Sequence, residues 1–211
     1  MIKAIIFDIG GVLIRTEDHS SRRNWEKQLG LAEWESETIV FNSEMGQKAQ
    51  RGAISDEALW NWVGQRLNLN AARLAEFRAG FWAGDVLDVG LVEYIRRLRP
   101  FYQTAVISNA TDALLDSLSN QHHIADAFDL IVGSAEEKVM KPDHEIYQRA
   151  LKRLGRQPEE AVFIDDFAHN IAAAQELGMH TIHFRPGTNV PAELAQLGVQ
   201  PATGGNYAYG S

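Results

Sequence analysis

The run Lys3-Ala4-Ile5-Ile6-Phe7-Asp8-Ile9-Gly10-Gly11-Val12-Leu13 decides the fold of this chain. An apolar stretch of strand length ends on a single carboxylate, Asp8. Two glycines follow, and the chain turns apolar again at Val12 and Leu13. A short apolar run bounded by glycine suits a strand buried on both faces. Its end would lie at the carboxyl edge of a parallel sheet, where open α/β folds bind ligands. The glycines let the backbone turn tightly and approach whatever the carboxylate touches. The plain alternative is an acidic residue closing a strand before a Gly-Gly turn, and the rest of the chain decides between the two.

Outward from this run the character changes twice. Residues 16–84 lack strand-like apolar runs and hold all five tryptophans, Trp25, Trp34, Trp60, Trp62 and Trp82. Ser55 before Asp56, Glu57, Leu59, Trp60 and Val63 has the form of an N-cap, an acidic first turn and an apolar stripe. Asn70 opens a second stripe with Leu74, Phe77 and Phe81. The segment is expected to be a small helical bundle inserted after the first strand. Most of its tryptophans would fill its core, with one or two free to face a substrate cleft. From Asp88 on, helix and strand alternate: a helix through Leu91, Tyr94, Ile95 and Leu98 stopped by Pro100, and a strand over 103–108. Then come a helix capped by Thr111, a strand over 128–132, a helix closed by Gly155, a strand over 161–164, a helix over 170–177 and a strand over 180–184. Such alternation implies a parallel sheet covered on both faces.

Composition narrows the partners. The chain has 211 residues, 45% hydrophobic and 23% charged, an ordinary globular balance with room for one large domain. Its net charge of −8, with the basic residues scattered, argues against nucleic acid or an anionic membrane as partner. A small anionic substrate stays open, because local donors and a metal override the global field. The absence of cysteine excludes disulfides, thiolate-bound zinc and a catalytic thiol. A charged strand end already at Asp8 comes too early for a signal peptide, and no apolar run approaches spanning length. A soluble, cytoplasmic protein is the expectation.

Several polar groups fall at or just past the expected strand ends: Asp8, the pair Ser108 and Asn109, Lys141 before Pro142, and the pair Asp165 and Asp166. In a parallel sheet these ends converge on one crevice. Adjacent acids repel and need a cation to stay ionised together. An all-oxygen ligand set points to Mg²⁺ rather than zinc or copper. A carboxylate beside Mg²⁺ and a lysine is a plausible nucleophile on phosphorus, giving an aspartyl-phosphate. Lysine and metal would neutralise the phosphoryl oxygens, and phosphoryl transfer is mainly positioning plus such electrostatics.

Phe7-Asp-Ile-Gly-Gly-Val-Leu13, Val106-Ile-Ser-Asn109, Lys141-Pro-Asp143 and Phe163-Ile-Asp-Asp166 resemble the four ordered motifs of the haloacid dehalogenase-like hydrolase superfamily. They stand in that family's order, with a helical cap inserted after the first, as in its subfamily I. The resemblance covers essentially residues 1–187. It implies an α/β fold, a three-layer Rossmann-like parallel sheet core with an inserted α-helical cap. Residues 1–15 and 85–200 would form the core, 16–84 the cap and 201–211 a flexible tail. It further implies Asp8 as nucleophile and the Gly10 carbonyl as a metal ligand. Ser108 would hydrogen-bond the phosphoryl group beside Asn109, Lys141 would orient nucleophile and phosphate, and Asp166 would be the principal acidic metal ligand with Asp165 its partner. Lys141 is preferred to Lys138 because Lys-Pro-Asp followed by Ile146-Tyr147 is the family pattern; Lys138 is expected to be a solvated charge.

One departure stands out. Most phosphatases of the family carry a second aspartate two residues after the nucleophile, which protonates the leaving group and later activates water. Here that position is Gly10, although the branch with this Gly-Gly-Val signature also lacks the second acid. His169, after Asp166, is expected at the surface. Glu17, Asp18 and His19 either begin a capped helix or supply a substitute acid. The expectation is a Mg²⁺-dependent phosphatase, monomeric or homodimeric, acting on a small phosphorylated metabolite such as a sugar phosphate, with the cap closing over the site. A metal-independent 2-haloacid dehalogenase is disfavoured by the acid pair in the fourth motif. A signalling receiver domain is disfavoured by motif order. A catalytically weak regulatory relative is kept in view by Gly10.

Overall fold

The computed structural model describes residues 1–201. Seven strands occur among them: β1 (Ala4–Phe7), β2 (Ile14–Thr16), β3 (Asp85–Leu87), β4 (Gln103–Ser108), β5 (Leu130–Gly133), β6 (Ala161–Asp165) and β7 (His180–His183). Five form one parallel sheet in the order β5-β4-β1-β6-β7. β1 is central and all four of its residues are buried, as its unbroken apolar run requires of a strand covered on both sides. Side chains alternate across it. Ile5 and Phe7 join the core under the helix Val89–Leu98, while Ala4 and Ile6 join the core under the helices His144–Leu154 and Ala168–Glu176. The architecture is therefore the expected three-layer α/β sandwich.

A third apolar core belongs to the helical segment. Its main helices are α1 (Ser20–Leu29), α2 (Glu44–Gln50), α3 (Asp56–Arg66) and α4 (Ala71–Trp82). Ser55 and Asn70 cap the last two, accepting from the Ala58 and Arg73 N–H groups at 3.1 and 2.9 Å. Trp25, Trp60, Phe77 and Phe81 pack together inside. Of the five tryptophans, Trp25 and Trp60 are buried in this core and Trp62 is half-buried against it, while Trp34 and Trp82 are exposed.

The segment meets the sheet domain in two places. One is an antiparallel ribbon, β2 against β3, with Arg15 opposite Val86. The other is the loop after α2. There the buried Ser134 hydroxyl donates to the Gln50 carbonyl (2.6 Å), the Lys138 ammonium donates to the Gly52 carbonyl (2.7 Å), and Asp112 accepts from the Asp56 N–H (2.8 Å). Gly52 has φ +62°, and a Cβ there would collide with the Ala135 carbonyl. Lys138 is exposed, as expected of a solvated charge, and its ammonium also reaches the Gly52 carbonyl.

Other expectations shift. The strand over 128–132 forms at Leu130–Gly133, because Phe128 turns into the core beneath a 3₁₀ turn. Thr111 does not cap the next helix. That helix starts at Leu114, runs three residues and continues as a π-helical turn over Ser117–Gln121, while the Thr111 hydroxyl donates to Asp56. A helix over Val190–Gln196, capped by Asn189, was not anticipated. The flexible tail expected from Pro201 lies, from residue 202 on, outside the described residues.

Candidate active site

Strand register assembles the site. Phe7 stands opposite Val106 on β4 and Ile164 on β6. Asp8 is thus level with Asp165, and Ser108 lies one residue farther along β4. The Asp8 N–H still donates to the Ile164 carbonyl (2.9 Å), which fixes the turn that follows. Asp8, Ser108, Lys141 and Asp165 are all buried.

Lys141 is the hub. Its Nζ lies 2.8 Å from Asp8 Oδ2 and 2.7 Å from Asp165 Oδ2. Asn109 holds its backbone at both ends, accepting from the Lys141 N–H (2.8 Å) and donating through Nδ2 to the Lys141 carbonyl (2.9 Å). The side chain expected beside the phosphoryl group therefore clamps the lysine. Asp165 is saturated: beyond Lys141, it accepts from the Phe167 N–H (2.8 Å) and from Asn170 Nδ2 (3.0 Å). Asp166 differs, since its Oδ1 is buried without a partner. The uncommitted carboxylate oxygen of the pair is on Asp166.

Charge is unbalanced here. Burial pushes the Asp8 carboxyl up to about 7, against the pull of Lys141 and with the push of Asp165. Burial, reinforced by Asp165, also raises Asp166. Burial opposes the charge on Lys141, but Asp8 and Asp165 outweigh it and hold its pKa above the ordinary value. Three carboxylates face one ammonium, and oxygens of Asp8, Asp165 and Asp166 lie within 4.8 Å of one another. An all-oxygen set with an orphaned buried carboxylate oxygen fits a hard divalent cation.

Gly11 keeps that geometry. Its φ is +77°, and a Cβ there would run into the Asp166 carboxylate. Gly11→Ala is expected to displace Asp166 and to weaken Mg²⁺ binding by about 10- to 100-fold, the scale seen when groups orienting a ligand are lost. It should also cost about 1–2 kcal/mol of stability from the left-handed backbone. Calorimetric Mg²⁺ titration beside thermal unfolding checks both; unchanged affinity would show that Asp166 does not hold the ion.

The remaining candidates are engaged with other partners. His169 is exposed and packs against Phe167, ring centres 5.3 Å apart. Glu17 pairs with Arg15, Asp18 accepts from the Ser20 N–H at 2.8 Å, and His19 packs edge-on against Trp34. Asn170 went unnoticed in the sequence. Its side-chain amide donates to both oxygens of Asp165, and its main-chain carbonyl accepts from the buried Tyr147 hydroxyl (3.1 Å). The available signal was its spacing, an amide five residues after Asp165 at the start of a helix.

Comparison with known proteins agrees with this geometry. The family model described as haloacid dehalogenase-like hydrolase matches residues 2–178. A sesquiterpene phosphatase from Aspergillus oryzae is 29% identical over 92% of this chain and 96% of its own length. A D-ribitol-5-phosphate phosphatase from Bacteroides thetaiotaomicron is 26% identical over 93% of this chain and 98% of its own. Mouse acyl-CoA dehydrogenase family member 10 is 47% identical over 93% of this chain, which spans only 19% of that protein. Among solved structures, a predicted HAD-like family hydrolase from Porphyromonas gingivalis superposes with a TM-score of 0.77 at 28% identity, covering 93% of this chain and 98% of its own. A HAD family enzyme from B. thetaiotaomicron, in complex with magnesium and inorganic phosphate, gives 0.76 at 23% identity, covering 92% and 99%.

Proposed function

From the premise that the chain belongs to the haloacid dehalogenase-like hydrolase family, we propose that it is a Mg²⁺-dependent phosphatase of small phosphorylated metabolites, working through an aspartyl-phosphate on Asp8. The observation that carries this reading is the buried Lys141 bridging Asp8 and Asp165 beside the orphaned Asp166 oxygen. The magnesium and phosphate bound by the structural relative support it. Helices over 16–84 would serve as the cap over the site, and a chain without cysteines suits the cytoplasm.

In the proposed reaction an Asp8 carboxylate oxygen attacks phosphorus, and the bond from phosphorus to the leaving oxygen breaks. Lys141 balances the charge and holds Asp8 in line. The Ser108 hydroxyl donates to a phosphoryl oxygen. Water then attacks the aspartyl-phosphate and releases phosphate, restoring Asp8. Asp8, Asp166, the Gly10 carbonyl and, behind them, Asp165 would hold Mg²⁺, which when bound neutralises phosphoryl charge. Asn109 and Asn170 act one layer out, fixing Lys141 and Asp165.

Phosphate release from acetyl phosphate and aryl phosphates is expected with Mg²⁺ and is expected to vanish with excess chelator. Activity untouched by chelator would overturn the phosphatase reading and favour halide release from 2-haloacids. No turnover of any phosphorylated compound would favour a regulatory relative. The two full-length relatives act, by name, on a sesquiterpene and a pentitol phosphate, so they do not agree on the organic group.

A further inference from the structure

The organic group is legible from the residues around the site, given the phosphatase reading above. Several polar side chains around this edge are already committed to protein partners. Asn109 clamps Lys141, Ser134 links the Ala110 N–H to the Gln50 carbonyl, and Thr111 donates to Asp56. Arg22 is divided among the Phe81 carbonyl, Glu37 and Asp85. A polyol would find these four side chains occupied, and each hydroxyl left unmatched weakens binding.

Two large aromatic side chains are exposed on the elements that adjoin this edge. Phe167 directly follows the acid pair and is 53% exposed. Its N–H is fixed on Asp165, and the helix Ala168–Glu176 begins at the next residue, so the ring is held at the rim. On the helical segment, Trp82 is 41% exposed at the end of α4, three residues before β3. It therefore stands by the ribbon that leads from the Gly10–Gly11 turn. Trp82 packs against Phe41 with ring centres 5.8 Å apart, and the Phe41 carbonyl accepts from Gln50 Nε2 at 2.8 Å. The Gln50 carbonyl is the one held by Ser134. Trp82 and Phe41 thus lie between the two attachments that fasten the helices to the carboxyl edge of the sheet.

Chemistry at Gly10 selects the same kind of group. No side chain there protonates the leaving oxygen, and the position opens on free space, since a Cβ would touch nothing within 4 Å. A leaving group that departs unassisted must stabilise its own anion. We propose that the substrate is a phosphate monoester of a flat, apolar aromatic or conjugated hydroxyl compound, recognised by Phe167 and Trp82. The Asp8 oxygen–phosphorus bond forms as the phosphorus–aryl oxygen bond breaks. The electron pair stays on the aryloxide, which takes its proton from water.

Phenyl and 2-naphthyl phosphate test this, because their leaving oxygens are of similar acidity while the second ring adds apolar area. The naphthyl ester is expected to have a kcat/KM about tenfold higher, through KM. Trp82→Ala and Phe167→Ala should each lower that ratio by about 2- to 10-fold, the range of an aromatic stacking contact, and Trp82→Phe should restore most of it. A ratio near one in the parent enzyme, or a ratio unmoved in both alanine variants, would overturn the proposal; the parent ratio decides even if a variant misfolds. Acetyl phosphate needs no ring. Its turnover with a flat aryl ratio would sink this proposal and leave the phosphatase standing, whereas no turnover of acetyl, phenyl or naphthyl phosphate would remove both.

Discussion

Asp8→Asn is expected to lower phosphate release by at least ~10⁴-fold, the scale seen when the nucleophile of a covalent mechanism is removed. The amide keeps the shape of the carboxylate but has neither its nucleophilicity nor its charge. The fold should tolerate it. Burial already pushes Asp8 up to about 7, so a neutral side chain suits this position, and Lys141 keeps its second partner, Asp165, at 2.7 Å. The melting temperature should therefore hold or rise while activity collapses. Beryllofluoride should form an adduct on Asp8 in the parent and not in the variant, which mass spectrometry or ¹⁹F NMR reads directly. Near-parental turnover in a sample shown free of deamidation would refute nucleophilic attack by Asp8.

Gly10→Asp is expected to raise kcat/KM for alkyl phosphates by about 10²–10⁴-fold, the contribution general acid catalysis typically makes, and to leave aryl esters nearly unchanged. The parent should show kcat/KM falling steeply as leaving-group pKa rises, and the variant a flatter plot. The position can accept the change, because its φ lies outside the left-handed region and a Cβ meets no atom within 4 Å. Its neighbour cannot, since Gly11 lies against the Asp166 carboxylate. kcat/KM is the quantity to plot, as it reports steps through the first phosphoryl transfer. A parent plot that is already flat would mean that another group supplies the proton.

Buried parallel strands leave a strong imprint on sequence, and that is why the core was readable. β1, β4 and β6 are apolar runs, each ending at or just before a polar residue, so their ends named Asp8, Ser108 and Asp165 together. The β2–β3 ribbon left no such imprint. Each strand has three residues, too few for a period, and its pairing joins Thr16 to Asp85 across the whole helical segment. Thr111 was only partly legible: its hydroxyl keeps a long contact from the Ala113 N–H, as a cap would, but the helix starts later and the hydroxyl donates to Asp56, a partner distant in sequence. The helix Val190–Gln196 was legible in principle from Asn189 with Pro191 behind it, a cap and an early-turn proline. Within the site, residue types and order were visible. The division of labour between Asp165 and Asp166 came only from the family resemblance and not from the residues themselves, because it depends on which oxygens Asn170 and the Phe167 N–H have already taken.

The fastening of the loop after α2 has a consequence for how this protein can diversify. Ser134 and Lys138 grip main-chain carbonyls, those of Gln50 and Gly52, and every residue type supplies a carbonyl. The exposed side chains of Arg51 and Ala53 can therefore be rewritten without loosening the grip, whereas Gln50 is held by its own bond to the Phe41 carbonyl and Gly52 by its left-handed backbone and the nearness of Ala135. A duplicated copy of this gene would have a short hypervariable stretch beside the catalytic edge, able to explore new recognition surfaces one mutation at a time while the joint beneath it stays the same.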